Sequence, residues 1–473
     1  MKFFNEKKKI SEKMTWREYQ KHINRQSKHK RHKNGNLLKL TPILLIVMVA
    51  IGYGLMQRPA PPVLPAQLPK IEQAAQPVPG VSKVKSNLLG SLDGKNFLNL
   101  REPVFTTQIE GRDYRVETSI DHKLQESLLA KVKEMMGKER YLSRSIGIVV
   151  MTADTGRILS MVSFDRQNPM HNTCVDGQFP AASIFKIITA AAAIDTQGLT
   201  ENSSMSFNGQ KHTLYRGQLK EAAKRYSHSL SLKDSFAQSV NPVFGKLGSQ
   251  VLGKEKIEDY AIRFGFNKPI NFDIIVEQSR LATGDDPFRL AEIASGYNTE
   301  TTISPLHGAM IASTVLNNGN MINPSVIDRI IGPDNRVVYE RRNQHPQRVI
   351  SENTSRELHR MMQATVSNGT AHKVFKYLNR NAVLKDLNVG GKTGSINNNP
   401  RYDWFIGFAE NPRTGQAIIV SAVVAHGQFI GEKAGQYAKL AMETFFSKNM
   451  AIAATPGNSL HSEATINNKP ASG

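Results

Sequence analysis

The chain has 473 residues and a mass of 52.5 kDa, which is enough to bury a sizeable core and to form two or three domains. It contains 61 Lys and Arg against 40 Asp and Glu, so its net charge is +21. A balance this basic suits a nucleic acid, an anionic membrane surface or a polyanionic substrate. The single cysteine, Cys174, excludes an intrachain disulfide, a Cys-x-x-Cys metal site and a redox pair.

The N-terminal region is basic and then apolar. Residues 1–39 contain thirteen Lys and Arg and three Glu, and Leu40–Met56 contains no charged residue. We predict a basic cytoplasmic tail at residues 1–36 and a transmembrane anchor at 37–57. A secretory signal peptide is the alternative, but the apolar stretch is long and no small-x-small cleavage site closes it.

The charge distribution predicts the orientation of this anchor. Positive residues before the span keep the N-terminus cytoplasmic and send the chain after Arg58 outside the membrane. They also explain the basic composition without a nucleic-acid partner. Seven prolines between Pro59 and Pro79 predict a stiff spacer at 58–99. A globular domain at 100–450 and a polar, disordered tail at 451–473 follow.

The first part of the globular domain predicts a helix followed by a β-hairpin. Leu124–Met136 has helical spacing of its apolar residues. Ile146–Thr152 and Ile158–Ser163 are rich in β-forming residues, and Asp154-Thr155-Gly156 between them is a turn signal.

The later part of the domain is mostly helical before strand character returns. From Ser183 to about residue 320 we predict helices, with loops at Asn202–Gly217 and Asn267–Asp286. The remaining predicted elements are three strands and a helix, Val389–Ser395, Trp404–Ala409, Ala417–Ala425 and Lys433–Met450. Hairpin connections predict an α+β fold in which an antiparallel sheet carries flanking helices.

One apolar helix carries a pair of residues suited to covalent catalysis. Phe179–Ala193 is rich in alanine and predicts a buried helix, and Ser183 and Lys186 interrupt its opening turn. Three residues apart on a helix, they lie on one face. A serine becomes a good nucleophile when a base takes its proton, and a lysine can be that base if its pKa is lowered.

Two further motifs give this pair its context. Ser-x-x-Lys alone is weak, because it also occurs in the basic tail and in the spacer. Ser239-Val240-Asn241 follows a predicted helix, and Lys392-Thr393-Gly394 lies in a glycine-flanked strand that continues to Ser395. The three motifs are separated by 56 and 153 residues.

In motif order and spacing the chain resembles the transpeptidase domains of penicillin-binding proteins, which are penicillin-recognising serine acyltransferases. Ile303–Met310 and Asp403–Ala409 are also similar to that family. The resemblance covers about residues 100–450 and is of the monofunctional class B type with a short N-terminal region. It implies a fold like that of β-lactamases and D,D-peptidases, in which a five-stranded antiparallel sheet is combined with an all-helical subdomain.

The resemblance also implies a role for each motif residue. Ser183 is the expected nucleophile and Lys186 its base, held neutral in part by Lys392. Ser239 is expected to relay a proton, and Asn241 to bind the substrate amide. The expected substrate-binding residues on the strand are Lys392, Thr393, Gly394 and Ser395. Backbone N–H groups of Ser183 and Ser395 are expected to form an oxyanion hole.

The implied activity is that of a peptidoglycan D,D-transpeptidase. Its expected partners are peptidoglycan stem peptides, β-lactams as covalent inhibitors, the membrane and a cell-wall synthesis complex. The expected location is the bacterial cytoplasmic membrane, with the catalytic domain outside. A class D β-lactamase, a D,D-carboxypeptidase, and a β-lactam sensor or inactive scaffold are the alternatives. We predict no cofactor and no metal, since the 13 histidines show no ligand spacing.

Overall fold

The computed structural model describes residues 89–90, 92–137, 143–221, 227–341 and 346–454. The predicted tail 1–36, the predicted anchor 37–57 and most of the predicted spacer lie outside these residues. Among the helices that are described, none combines the length and apolar character needed to cross a membrane. Phe97 is 2% exposed, and Asn99 donates a hydrogen bond to the Ser163 carbonyl (2.8 Å), so packing begins before the predicted boundary at residue 100.

The strands of the described residues form one large sheet and several smaller ones. In chain order they are β1 (Val104–Ile109), β2 (Arg112–Thr118), β3 (Ser145–Thr152), β4 (Ile158–Asp165), β5 (Phe179–Pro180), β6 (Ser204–Asn208), β7 (Ser227–Ser231), β8 (Thr302–Ile303), β9 (Asn320–Met321), β10 (Ile327–Ile331), β11 (Val337–Glu340), β12 (Gln347–Arg348), β13 (Asn388–Asn397), β14 (Arg401–Glu410) and β15 (Ala417–Ala425).

The α-helices pack on the faces of the large sheet or form a helical region beside it. In chain order they are α1 (His122–Met136), α2 (Lys186–Gln197), α3 (Arg216–Leu219), α4 (Leu232–Ala237), α5 (Asn241–Lys246), α6 (Gly253–Arg263), α7 (Pro287–Ser295), α8 (Pro305–Leu316), α9 (Glu352–Ser367), α10 (His372–Phe375) and α11 (Ala434–Ala454).

The large sheet confirms the predicted fold class. It is antiparallel throughout, with the strand order β13-β14-β15-β3-β4, so strands that are distant in sequence are neighbours. Apolar side chains of the sheet, α1 and α11 form one core cluster. The helix α8 packs against β14, β15 and β3. Burying these faces is the main favourable contribution to folding. The strand β13 is an edge of this sheet, and it carries the Lys392 motif.

Two glycines allow β13 to pack closely on β14. A Cβ on Gly390 would lie 2.4 Å from the Phe408 ring, and a Cβ on Gly391 would lie 2.4 Å from the Phe405 ring. The register between the two strands is continuous through both positions. The glycine pair therefore makes room for two buried aromatic rings beside Lys392.

The predicted helix at Phe179–Ala193 is wrong at its beginning. Its first two residues form β5, which pairs with β8, and Ala182–Phe185 is a 3₁₀ turn before α2. The run of alanines indicated the helix correctly, but pairing with β8 decides where it starts. Ser183 and Lys186 nevertheless lie one turn apart, as predicted.

Several strands outside the large sheet are not predicted from the sequence. The sheet β1-β2-β10-β11 is antiparallel, and β6 lies within the predicted loop Asn202–Gly217, where it pairs with β7. The helix α11 extends to Ala454, four residues into the predicted disordered tail. The rest of that predicted tail, 455–473, lies outside the described residues.

Candidate active site

Ser183 lies in the 3₁₀ turn that leads into α2. This turn begins with a strained backbone, because Ala182 has a φ of 47° and is not glycine. Gly296 packs against it so closely that a Cβ at Gly296 would lie 1.8 Å from the Ala182 carbonyl oxygen. The end of α7 is therefore held directly beside Ser183.

The amine of Lys186 is the centre of a buried hydrogen-bond cluster. Its Nζ lies 2.7 Å from Ser183 Oγ and 2.7 Å from Asn241 Oδ1, and it also donates to the Ser295 carbonyl. The lysine itself is completely buried. A neutral amine has two protons and one lone pair, so it can donate to Asn241 and Ser295 while accepting the Ser183 proton. This arrangement suits a general base.

A second buried lysine stands beside Ser239. Lys392 Nζ donates to Ser239 Oγ (3.1 Å) and to the Thr393 carbonyl (2.9 Å), and Lys392 is 0% exposed. Ser239 follows α4 with a φ of 55°, a second strained non-glycine position. The strand β13 and the turn before α5 thus bring Lys392 and Ser239 together.

Burial makes the charged form of both lysines unfavourable. It lowers the pKa of Lys392 from 10.5 to about 7. Burial also lowers the pKa of Lys186 well below its ordinary value, and the nearby charge of Lys392 lowers it further. The neutral Lys186 that a serine nucleophile needs is therefore favoured.

Asn241 connects this cluster to a neighbouring loop. Its backbone N–H donates to the Lys211 carbonyl (2.7 Å), and its side-chain Nδ2 donates to the His212 carbonyl (2.9 Å). The imidazole of His212 borders the cleft. Burial lowers the pKa of His212, and the positive charges of Lys186 and Lys392 add to this effect.

The strand β13 forms one wall of the site. Thr393 and Ser395 line the cleft, whereas Gly394 packs against Ile184 and Trp404, each 3.3 Å from where its Cβ would lie. The hydroxyl groups of Thr393 and Thr370 share a hydrogen bond. Thr370 also donates its backbone N–H to the Ala237 carbonyl (3.0 Å), which ties β13 to the turn before Ser239.

These residues surround one open cleft of about 1310 Å³. Of the predicted site residues, five line it directly: Ser183, Ser239, Asn241, Thr393 and Ser395. Lys186 and Lys392 lie behind it, and Gly394 lies in its wall. No group of His, Cys, Asp and Glu within the described ranges could hold a metal ion.

Sequence reasoning missed several members of the site. Thr370, Ser295 and His212 belong to no motif that we singled out. Ser295 contributes a backbone carbonyl, which any residue could supply, so its identity gives no signal. A Cβ at Gly369 would lie 2.4 Å from the Ala237 carbonyl oxygen, but this close approach exists only in the folded structure and gives no sequence signal for Thr370.

The family model for the penicillin binding protein transpeptidase domain matches residues 146–447. The match covers more than half of the chain, and the chain therefore belongs to this family. The strands and helices that position Ser183, Ser239 and Lys392 all lie within the matched range. The family predicted from the three motifs is confirmed.

Curated relatives match over part of their length. Stage V sporulation protein D of Bacillus subtilis is 26% identical over 342 residues, which are 68% of this chain and 50% of the relative. The peptidoglycan D,D-transpeptidase PbpA of Mycolicibacterium smegmatis is 24% identical over 383 residues, 72% of this chain and 74% of that protein. The chain thus spans half to three quarters of the length of these two proteins.

Solved structures share the fold. The imipenem acyl-enzyme complex of penicillin-binding protein A from M. tuberculosis aligns with a TM-score of 0.57 at 21% identity, covering 70% of this chain and 79% of that one. The D,D-transpeptidase domain of a peptidoglycan glycosyltransferase from Eggerthella lenta aligns with a TM-score of 0.58 at 21% identity, covering 77% and 91%.

The low pKa of Lys392 predicts that stability depends on pH. The unfolded lysine keeps a pKa of 10.5, while the folded one has about 7. Between these values the unfolded state binds one more proton, so the free energy of unfolding rises with pH, and below about pH 7 this contribution levels off. We expect Lys392→Met to flatten the rise, as measured by urea unfolding from about pH 6.5 to 9.5.

The exposed Lys268 provides the matched control for this measurement. Lys268→Met removes the same charge from the surface, and we expect it to keep the slope of the unmodified protein. A Lys392→Met variant whose stability rises with pH as steeply as that of the unmodified protein would contradict the lowered pKa.

Proposed function

We propose that this protein is a peptidoglycan D,D-transpeptidase that forms an acyl-enzyme on Ser183 and cross-links stem peptides. The observation that carries the proposal is the 2.7 Å contact between Ser183 Oγ and the buried amine of Lys186, at the floor of a cleft bordered by an edge strand. The family to which the chain belongs supports it, and so does the name of the M. smegmatis relative.

Acylation begins when Ser183 Oγ attacks the carbonyl of the penultimate D-alanine. The proton of the hydroxyl passes to the neutral Lys186 amine. Backbone N–H groups of Ser183 and Ser395 stabilise the negative charge that develops on the carbonyl oxygen. Removing one donor of this kind typically lowers the rate by about a hundred-fold or more. The Ser183 N–H belongs to the short 3₁₀ turn before α2.

Collapse of the tetrahedral intermediate releases the terminal D-alanine. Its leaving nitrogen takes the proton that Lys186 gained, relayed by Ser239, whose Oγ is hydrogen-bonded to Lys392. An amine of a second stem peptide then attacks the ester and gives up its proton along the same route. Attack by water instead gives a carboxypeptidase product, since the ester carbon is the same electrophile in both cases.

The strand β13 positions the donor peptide. An extended peptide adds to an exposed sheet edge through backbone hydrogen bonds. Lys392 and Thr393 bind its terminal carboxylate, and Asn241 binds its amide, while Gly394 keeps the wall flat against Trp404. Lys392 is poorly solvated, so a carboxylate also restores its charged form when the donor binds.

Ser183→Ala is expected to abolish labelling by fluorescent penicillin, because the Ser183 hydroxyl is the one hydrogen-bonded to the Lys186 amine. Labelling is read on a denaturing gel after prolonged incubation. Ser127→Ala is the matched control, since Ser127 lies within α1, where its hydroxyl donates to the Lys123 carbonyl one turn earlier. Persistent labelling of Ser183→Ala would contradict the nucleophile assignment. Loss of the adduct within seconds would favour the β-lactamase alternative.

A pentapeptide donor is expected to yield an acyl-enzyme and free D-alanine, and an added amine acceptor to yield the cross-linked product. Mass spectrometry with and without the acceptor measures both. Ser183→Ala is expected to give neither product. Hydrolysis alone, even at high acceptor concentration, would favour a carboxypeptidase, and absence of any acyl-enzyme would favour an inactive binder.

We also propose that residues 37–57 anchor the protein in the cytoplasmic membrane with its catalytic domain outside. The uncharged stretch and the positive residues before it support this arrangement. We expect the full chain in the membrane fraction and a chain that starts at residue 58 in the soluble fraction. Equal partitioning of the two chains would contradict the anchor.

A further inference from the structure

The cleft continues beyond Ser395, and its far end is charged. Arg401, Asp403 and Lys433 line it there. Arg401 pairs in register with Asn397, and Asp403 with Ser395. Residues directly opposite one another in an antiparallel pair share a face of the sheet. Arg401 and Asp403 therefore lie on the face that carries Ser395, and Lys433 approaches from the residue before α11.

The opposite charges at this corner lie close enough to attract one another, but burial still raises the pKa of Asp403. Within the described residues, Arg401, Asp403 and Lys433 form no ion pair. Asp403 is 7% exposed, while the Nε of Arg401 is buried and has no hydrogen-bond partner. A buried ionised group without a direct ion pair is incompletely stabilised, so a ligand with complementary charges would be favourable here.

A structural role accounts for only part of this arrangement. Asp403 Oδ1 accepts a hydrogen bond from the Ala434 N–H (3.2 Å) and so caps α11. A cap needs an acceptor but not a charge, since asparagine caps as well as aspartate. Arg401 donates one N–H to Asn397 Oδ1 (3.0 Å). Nearby His426 adds no charge at neutral pH, because burial lowers its pKa to about 4.

The proposed function gives the direction in which the donor peptide passes this corner. Its terminal carboxylate lies at Thr393 and its reacting carbonyl at Ser395, so the preceding residues run past Ile396 and Asn397, antiparallel to β13. β14 is the second strand from such a peptide, which places it roughly 10 Å away. Only a long side chain reaches that far.

We propose that Arg401, Asp403 and Lys433 form a subsite for a zwitterionic side-chain end, an ammonium and a carboxylate on one carbon. The inference rests on the proposed function, which supplies the donor peptide. The ammonium pairs with Asp403, and the carboxylate pairs with Arg401 and Lys433. The preferred donors are therefore stem peptides with a diaminodicarboxylic acid, rather than those with lysine, whose side chain ends in an ammonium alone.

Two pentapeptides that differ only in this side chain test the subsite. D-alanine release is measured for each without an acceptor, so that only donor recognition contributes. We expect kcat/KM to be about tenfold higher for the zwitterionic donor, the size expected for gaining a hydrogen-bonded charge contact. The ratio of the two values is the readout, because it cancels changes in the amount of active enzyme.

Three variants locate the preference. Asp403→Asn keeps the cap on α11 and removes the charge, and Arg401→Gln and Lys433→Met remove the positive charges. We expect each to lower the ratio, with Asp403→Asn and Arg401→Gln bringing it to about twofold or less. Arg413→Gln is the matched control, since Arg413 is exposed in the turn between β14 and β15, and we expect it to keep the ratio.

The outcomes separate the inference from the proposed function. Release of D-alanine from both donors at equal kcat/KM would overturn the subsite and leave the proposed function standing. Absence of release and of acyl-enzyme from either donor would overturn both. Fluorescent penicillin shows whether Asp403→Asn is folded, and if it is not, Arg401→Gln and Lys433→Met decide. If both of those variants keep the full kcat/KM preference for the zwitterionic donor, the assignment of these residues to the subsite is overturned.

Discussion

Two lysine side chains buried without counter-charges are the constraint on which the site depends. Lys186 and Lys392 are both fully buried, and no ion pair of the described residues includes them. An isolated buried ammonium is expensive, so a lysine there gives up its proton more easily than in water. The same burial favours the neutral form of Lys186, whose amine lies 2.7 Å from the Ser183 hydroxyl, an arrangement that suits a general base.

The surrounding backbone bears the strain of this arrangement. Ala182 and Ser239 both adopt positive φ, and each lies next to one of the lysine contacts. Such conformations persist only where the neighbouring structure determines them. The close packing of Gly296 holds Ala182 in its conformation. The hydrogen bond from Thr370 N–H to the Ala237 carbonyl holds the turn before Ser239. The strain is thus placed where it directs Ser183 and Ser239 into the cleft.

The sequence predicted the large sheet and the motif residues because their signals are local. Apolar runs such as Ala417–Ala425 need only their own composition to indicate a buried strand. β6 was missed because alternating serines resemble a loop, and it becomes a strand by pairing with β7. Ser295 was missed because its contribution is a carbonyl brought to Lys186 by the packing of α7, which local sequence does not encode.

The two ends of the cleft differ in the charge state that their side chains favour. Near Ser183, burial removes the two lysines from water and favours their neutral amines, which suits proton transfer. At Arg401 and Asp403 opposite charges lie on one strand face without forming an ion pair. Proteins keep such local inconsistencies mainly where function requires them. If this end of the cleft binds a charged substrate group, as we propose, the presence of Arg401 and Asp403 on β14 without an ion pair is explained.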